Sequence, residues 1–150
     1  MEIDDLYQTI ILDHSKRPRN FGELAPPFLK GEGVNPACGD AVTVFVRPSD
    51  DDRVLEVRFT GQACAICTAS TSLMTVQVKT KSIQEALALE QEFLAFLTRN
   101  GESSPRLGNL RALEGVKKFP QRLKCATLGW HALEAALRSD GRQLKVESGQ

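Results

Sequence analysis

Ile3, Leu6, Tyr7, Ile10, Ile11 and His14 recur at three- and four-residue intervals, which predicts an amphipathic helix over residues 3–16. Pro18, within Lys16-Arg17-Pro18-Arg19-Asn20, ends it by blocking the next turn. Gly22, Pro26 and Pro27 mark residues 20–27 as a surface connection. Strand signals follow. Phe28 to Val34 reads as a weak strand broken by Gly31 and Gly33, Ala41 to Val46 as a strong one, and Val54 to Phe59 as the next. Pro48 to Asp52 is the turn between the last two. These runs predict a three-stranded antiparallel meander. The remainder has helical periodicity. Ala65, Ala69, Ser70 and Ser72 give a helix over residues 64–79 small side chains that allow close approach to the sheet. Ser82-Ile83-Gln84-Glu85 matches a capping box and opens a helix running toward Asn100-Gly101, with Phe93, Phe96 and Leu97 on its apolar face. Leu107, Leu110, Leu113 and Val116 mark one or two short helices within residues 101–119. Pro120 suits the first turn of a last helix, which carries Leu123, Ala126, Trp130, Leu133 and Leu137 and ends near Asp140-Gly141. The tail from Gln143 to Gln150 is expected to fray.

Composition narrows the class. The 150 residues suit one domain, 1–150, with a real core. Lys plus Arg and Asp plus Glu both number 19, so no net field draws the chain to nucleic acid or to a membrane surface. The longest apolar runs are too short to span a bilayer. The acidic start, Met1 to Asp5, lacks the apolar region of a secretion signal, so the expected location is the cytoplasm. In that compartment four cysteines serve metal binding or thiol chemistry rather than disulfides.

The candidate chemistry centres on Asn35-Pro36-Ala37-Cys38-Gly39-Asp40, a turn by its Asn-Pro and Gly. Residues two apart in extended chain share a side, so Cys38 and Asp40 can aim at one point. Cys64, at a helix start where the dipole favours a thiolate, and Cys125, inside the last helix, can join them. Three thiols and a carboxylate make a plausible zinc site. Zinc with that donor set carries an excess of two negative charges, which Arg122 and Lys124 are placed to offset. A free cysteine is also a common small core residue, and spacing alone leaves both readings open. Cys67, completing Cys64-Ala65-Ile66-Cys67, has three readings: half of a zinc site, one of a redox pair, or a helix-buried thiol. The redox pair needs a βαβ context that the hairpins do not supply, so the buried thiol is the reading taken.

Other motifs add little. The basic cluster at residues 16–19 is either a docking point for an acidic partner or a solvated helix end. Asp50, Asp51 and Asp52 lack the glycine and distal glutamate of a calcium loop and read as a solvated turn. His14 closes an apolar stripe and reads as packing. His131 lies about 120° around its helix from Cys125, so the two cannot serve one ion from one face. No His-Glu-x-x-His, phosphate loop or nucleophile elbow is present, which leaves hydrolase chemistry without support.

Several stretches together carry a resemblance. They are Leu6-Tyr7 through Asp13-His14, Pro18 to Phe21, Asn35 to Asp40, Phe59 to Ile66, and Phe119 to Leu128. In order, from about residue 5 to 138, the chain is similar to the SufU branch of the IscU-like iron–sulfur scaffold proteins. Lys124, where IscU-type scaffolds have histidine, and the insertion around residues 101–119 select the branch. The resemblance implies an α+β fold, a small three-stranded antiparallel sheet packed with five to six helices. It implies zinc held by Cys38, Asp40, Cys64 and Cys125, and sulfur accepted on Cys38 from the persulfide of a SufS-type cysteine desulfurase. It also associates Arg122 with productive interaction with that partner. Cys67 is a departure, because the family usually has serine there; a fifth thiol can compete for metal or trap sulfur as a disulfide.

The expected function is thus a zinc-dependent sulfur acceptor and relay in iron–sulfur cluster assembly, a sulfurtransferase acting with a cysteine desulfurase and delivering to a downstream iron–sulfur scaffold. The alternatives are a scaffold building a transient [2Fe–2S] cluster on the same ligands, and a structural zinc module that only docks partners.

Overall fold

The computed structural model describes residues 3–98 and 103–139. Their order is α1 (Ile3–Lys16), β1 (Leu29–Asn35), β2 (Asp40–Pro48), β3 (Val54–Gln62), α2 (Ala65–Val78), α3 (Ile83–Thr98), a 3-10 segment (Pro105–Lys118) and α4 (Pro120–Leu137). The sheet is antiparallel in the order β1-β2-β3, so the predicted meander and α+β class are what forms. The expected helix passage at Asn100-Gly101 lies outside the described residues, as do Asp140-Gly141 and the tail from Gln143. α4 itself stops at Leu137, where the Arg138 backbone N–H turns back to the Ala136 and Glu134 carbonyls. No helix among the described residues is long and apolar enough to cross a membrane.

Local chemistry explains several boundaries. Ser82 Oγ accepts from the Glu85 N–H at 3.0 Å and Glu85 Oε1 accepts from the Ser82 N–H at 2.9 Å, a reciprocal cap at the head of α3. Replacing Ser82 by alanine is expected to cost about 1 kcal/mol, read as a lower denaturant midpoint with an unchanged slope. β3 runs three residues past Phe59 because Thr60, Gly61 and Gln62 still pair with Thr43, Val42 and Ala41. The 3-10 segment contains a kink at Gly108, whose φ of 55° breaks it into two short helical pieces. The basic end of α1 is exposed, and two of its cations share one carboxylate: Arg17 and Arg19 pair with Asp13 at 3.4 and 2.6 Å.

The core lies between the sheet, α2, α3 and α4. Phe93 and Trp130 stack with centroids 5.0 Å apart, tying α3 to α4. Two close approaches set the position of α4. Gly31 and Gly33, the residues that weaken β1 as a strand, lie under it. A methyl group on Gly31 would overlap the Ala132 carbonyl and the Ala136 nitrogen, and one on Gly33 would press Leu128. On its other side, Gly129 admits Thr71 of α2, and Ser70 Oγ donates to the Ala126 carbonyl at 2.5 Å. The small residues of α2 therefore serve helix contacts more than the sheet. Ser72 is hydrogen bonded to His14 Nδ1 at 2.7 Å and accepts from the Arg19 N–H at 2.8 Å, and Ala65 is exposed. Burial, then the charge of Arg19, holds His14 below the usual histidine pKa, in keeping with a packed neutral ring.

Candidate metal centre

Four elements deliver the candidate side chains. The β1–β2 hairpin closes where Asn35 pairs with Asp40. Within it the Cys38 N–H donates to the Asn35 carbonyl at 3.2 Å and the Gly39 N–H to the Pro36 carbonyl at 3.3 Å. Gly39 has φ of 75°, a conformation glycine takes without strain. Cys38 thus sits in a tight turn rather than in extended chain, and the turn, not strand alternation, brings it round to Asp40. Cys38 is exposed, whereas Asp40, the first residue of β2, is 1% exposed.

Cys64 is the N-cap of α2. Its Sγ accepts from the Cys67 N–H at 3.5 Å, and its own N–H donates to Asp40 Oδ1 at 2.8 Å. That bond fixes the carboxylate and satisfies one of its oxygens. Cys125 enters from the second turn of α4 and is fully buried. Its depth follows from the seating of α4 on Gly31 and Gly33.

One ligand atom each from Cys38, Asp40 and Cys125 lie within 4.8 Å of one another. Cys64 Sγ stands 3.9 Å from Asp40 Oδ2, but it is not within 4.8 Å of all three. Tetrahedral zinc with bonds of about 2.3 Å to sulfur separates its ligand sulfurs by about 3.8 Å, so Cys64 would have to turn toward the other three to join them. The donors also suit the ion chemically: three sulfurs and one oxygen match a borderline-soft metal. Burial, with hydrogen bonds to Asp40, Cys38 and Cys64, pushes the Cys125 thiol above its usual pKa. The Cys125 thiol therefore keeps its proton until a cation takes its place.

Among the predicted cations, the structure joins Arg122 to the cluster. It is exposed, one helical turn before Cys125, and its pKa is raised by a side-chain hydrogen bond to Cys125 and by the charges of Cys64 and Cys125. Lys124 is exposed on the same turn. Cys67 is fully buried in the apolar core; burial first, then the charges of Asp40 and Cys64, push its pKa to about 12. It packs as a thiol, as the buried reading expects.

Two features escaped the sequence. A groove of about 890 Å³ runs from Cys64 and Arg122 between α1 and the 3-10 segment, lined by Tyr7, Leu12, Ile66 and Phe119 among others. Leu12 and Phe119 on its walls are 54% and 53% exposed, an apolar surface beside the thiols. Leu12 gave no signal because its position falls off the apolar stripe of α1. The second feature is a Glu90, His131 and Glu134 group between α3 and α4.

Fold and site define a small α+β domain that presents one exposed thiol beside a buried thiol–carboxylate pair. The NifU-like N-terminal domain matches residues 6–144, and the chain belongs to that family. An iron–sulfur cluster assembly scaffold protein IscU of Streptococcus pyogenes serotype M1 is 40% identical over 146 residues, spanning 91% of this chain and 86% of its own. The zinc-dependent sulfurtransferase SufU of Bacillus subtilis strain 168 is also 40% identical, over 139 residues, spanning 92% and 93%. The crystal structure of the N-terminal part of a nitrogen-fixing NifU-like protein from Brucella abortus superposes with a TM-score of 0.83 at 26% identity, covering 95% of this chain and 99% of that one.

Proposed function

We propose that this chain accepts and relays sulfur for iron–sulfur cluster assembly, with Cys38 as acceptor and Cys38, Asp40, Cys64 and Cys125 as zinc ligands. One observation carries the reading: of the thiols gathered with Asp40, the one on the hairpin turn faces solvent while Cys125 is sealed in the core. A partner's persulfide reaches Cys38 first. Zinc, when bound, would hold the thiols deprotonated. The Cys38 thiolate then attacks the outer sulfur of the persulfide. A new sulfur–sulfur bond forms on Cys38, the old one breaks, and its electron pair leaves on the partner's cysteine. Asp40 stays anchored through the Cys64 N–H. The donor in this reading is a SufS-type cysteine desulfurase, for which the apolar groove beside Arg122 offers a docking surface, and the recipient is a downstream iron–sulfur scaffold.

The scaffold reading, a [2Fe–2S] cluster on the same ligands, draws on the equal identity to the IscU-named relative. Anaerobic purification separates the two. The relay predicts about one equivalent of zinc and a colourless protein; iron with visible absorption would favour the scaffold. A Cys125→Ser variant is expected to lose the metal, while Cys67→Ser keeps about one equivalent by elemental analysis. Retention of full metal by Cys125→Ser would remove that residue from the ligand set.

A further inference from the structure

α3 and α4 cross with three ionisable side chains between them, away from the cysteines. His131 and Glu134 are three residues apart on α4 and so share a face. Glu90 faces them from α3, and one ligand atom from each of the three lies within 4.8 Å of the other two. Glu134 is nine residues beyond Cys125, about 14 Å along the helix axis and half a turn round, so this group is separate from the thiol cluster.

Glu90 requires an explanation. It is 1% exposed, and neither carboxylate oxygen has a hydrogen-bond donor among the described residues. The Arg138 guanidinium bonds to Glu134 Oε2 at 3.0 Å, and its charge also acts on Glu90. Carboxylate oxygens of Glu90 and Glu134 nevertheless lie within 4.8 Å of each other, and burial followed by the neighbouring Glu134 pushes Glu90 to a pKa of about 9. Two facing carboxylates need something positive between them. A shared proton meets the need of the pair and leaves His131 idle. A divalent cation engages all three: two carboxylates and one neutral imidazole cancel a 2+ ion, and Arg138 on Glu134 leaves one further positive charge at the exposed side of the group.

We propose that Glu90, His131 and Glu134 form a second cation site, for a divalent first-row transition ion such as zinc, cobalt or manganese, clamping α3 to α4. The imidazole selects such ions over magnesium and calcium. His131 is exposed, which gives the ion a path in and leaves coordination positions for water. This site does not depend on the function of the cysteines.

Cobalt titration of the full chain, first supplied with one equivalent of zinc, tests it. Cobalt on nitrogen and oxygen ligands shows weak visible bands, whereas cobalt on cysteine adds an intense thiolate charge-transfer band. The spectrum itself therefore reports which site fills. The expected result is one equivalent of cobalt bound without the charge-transfer band, with affinity reduced roughly tenfold or more in both Glu90→Gln and His131→Ala. His131 is exposed and glutamine is isosteric with glutamate, so both variants should fold. No cobalt bound outside the thiols overturns the proposal and leaves a shared proton as the role of Glu90. Equal affinity in wild type and both variants overturns it as well.

Discussion

A Cys38→Ser variant mixed with a cysteine desulfurase and cysteine is expected to gain no sulfur, while the unaltered chain gains one sulfur atom by intact mass. Serine keeps the shape of the turn but is no sulfur nucleophile. The two remaining cluster thiols are poorly placed to substitute: Cys125 is fully buried, and Cys64 is half-buried at its helix cap with Sγ held toward the Cys67 N–H. Cys67→Ser is the companion control and should gain sulfur as the unaltered chain does. With its pKa pushed up to about 12 by burial and no exposure, Cys67 stays a thiol near neutral pH. Sulfur transfer to Cys38→Ser at the original rate would sink the assignment of the acceptor.

The second large effect is on stability. Gly31→Ala should lower stability by about 3 kcal/mol, because the added methyl meets the Ala132 carbonyl and the Ala136 nitrogen, backbone atoms that no rotamer change can move aside. α4 must shift away from β1, and Cys125 moves with it. Metal affinity should therefore fall together with the melting temperature, by several degrees for a chain of this size. Gly115→Ala is the matched control, since a methyl there meets nothing within 4 Å. Equal stability of the two variants would show that the seat of α4 is looser than its geometry.

Gly31 also shows where sequence reading stops. Alternation and turn residues revealed the sheet, and the capping box revealed the head of α3, because those signals are local. The two glycines register in sequence only as defects of a strand. Their reason is a helix about 100 residues later in the chain, and nothing in their neighbourhood encodes it. The same division runs through the site. Cys38, Asp40, Cys64 and Cys125 stood out because cysteines are few and because the surrounding stretches resemble a family. As cations flanking Cys125, Arg122 and Lys124 are equivalent in sequence, and it is the turn of α4 that brings Arg122 to hydrogen bond with Cys125. Helix spacing puts His131 about 120° around α4 from Cys125, and nothing in that spacing reveals that it lies within 4.8 Å of Glu90, 41 positions earlier on another helix.

The hairpin holding Cys38 is joined to the rest of the molecule through its two strands, whereas Cys125 is embedded in a helix wedged among fixed neighbours. The pair is thus asymmetric. Cys38 lies on the exposed turn of residues 36–39, outside the core, whereas the residues that close the turn, Asn35 and Asp40, are buried with Cys125.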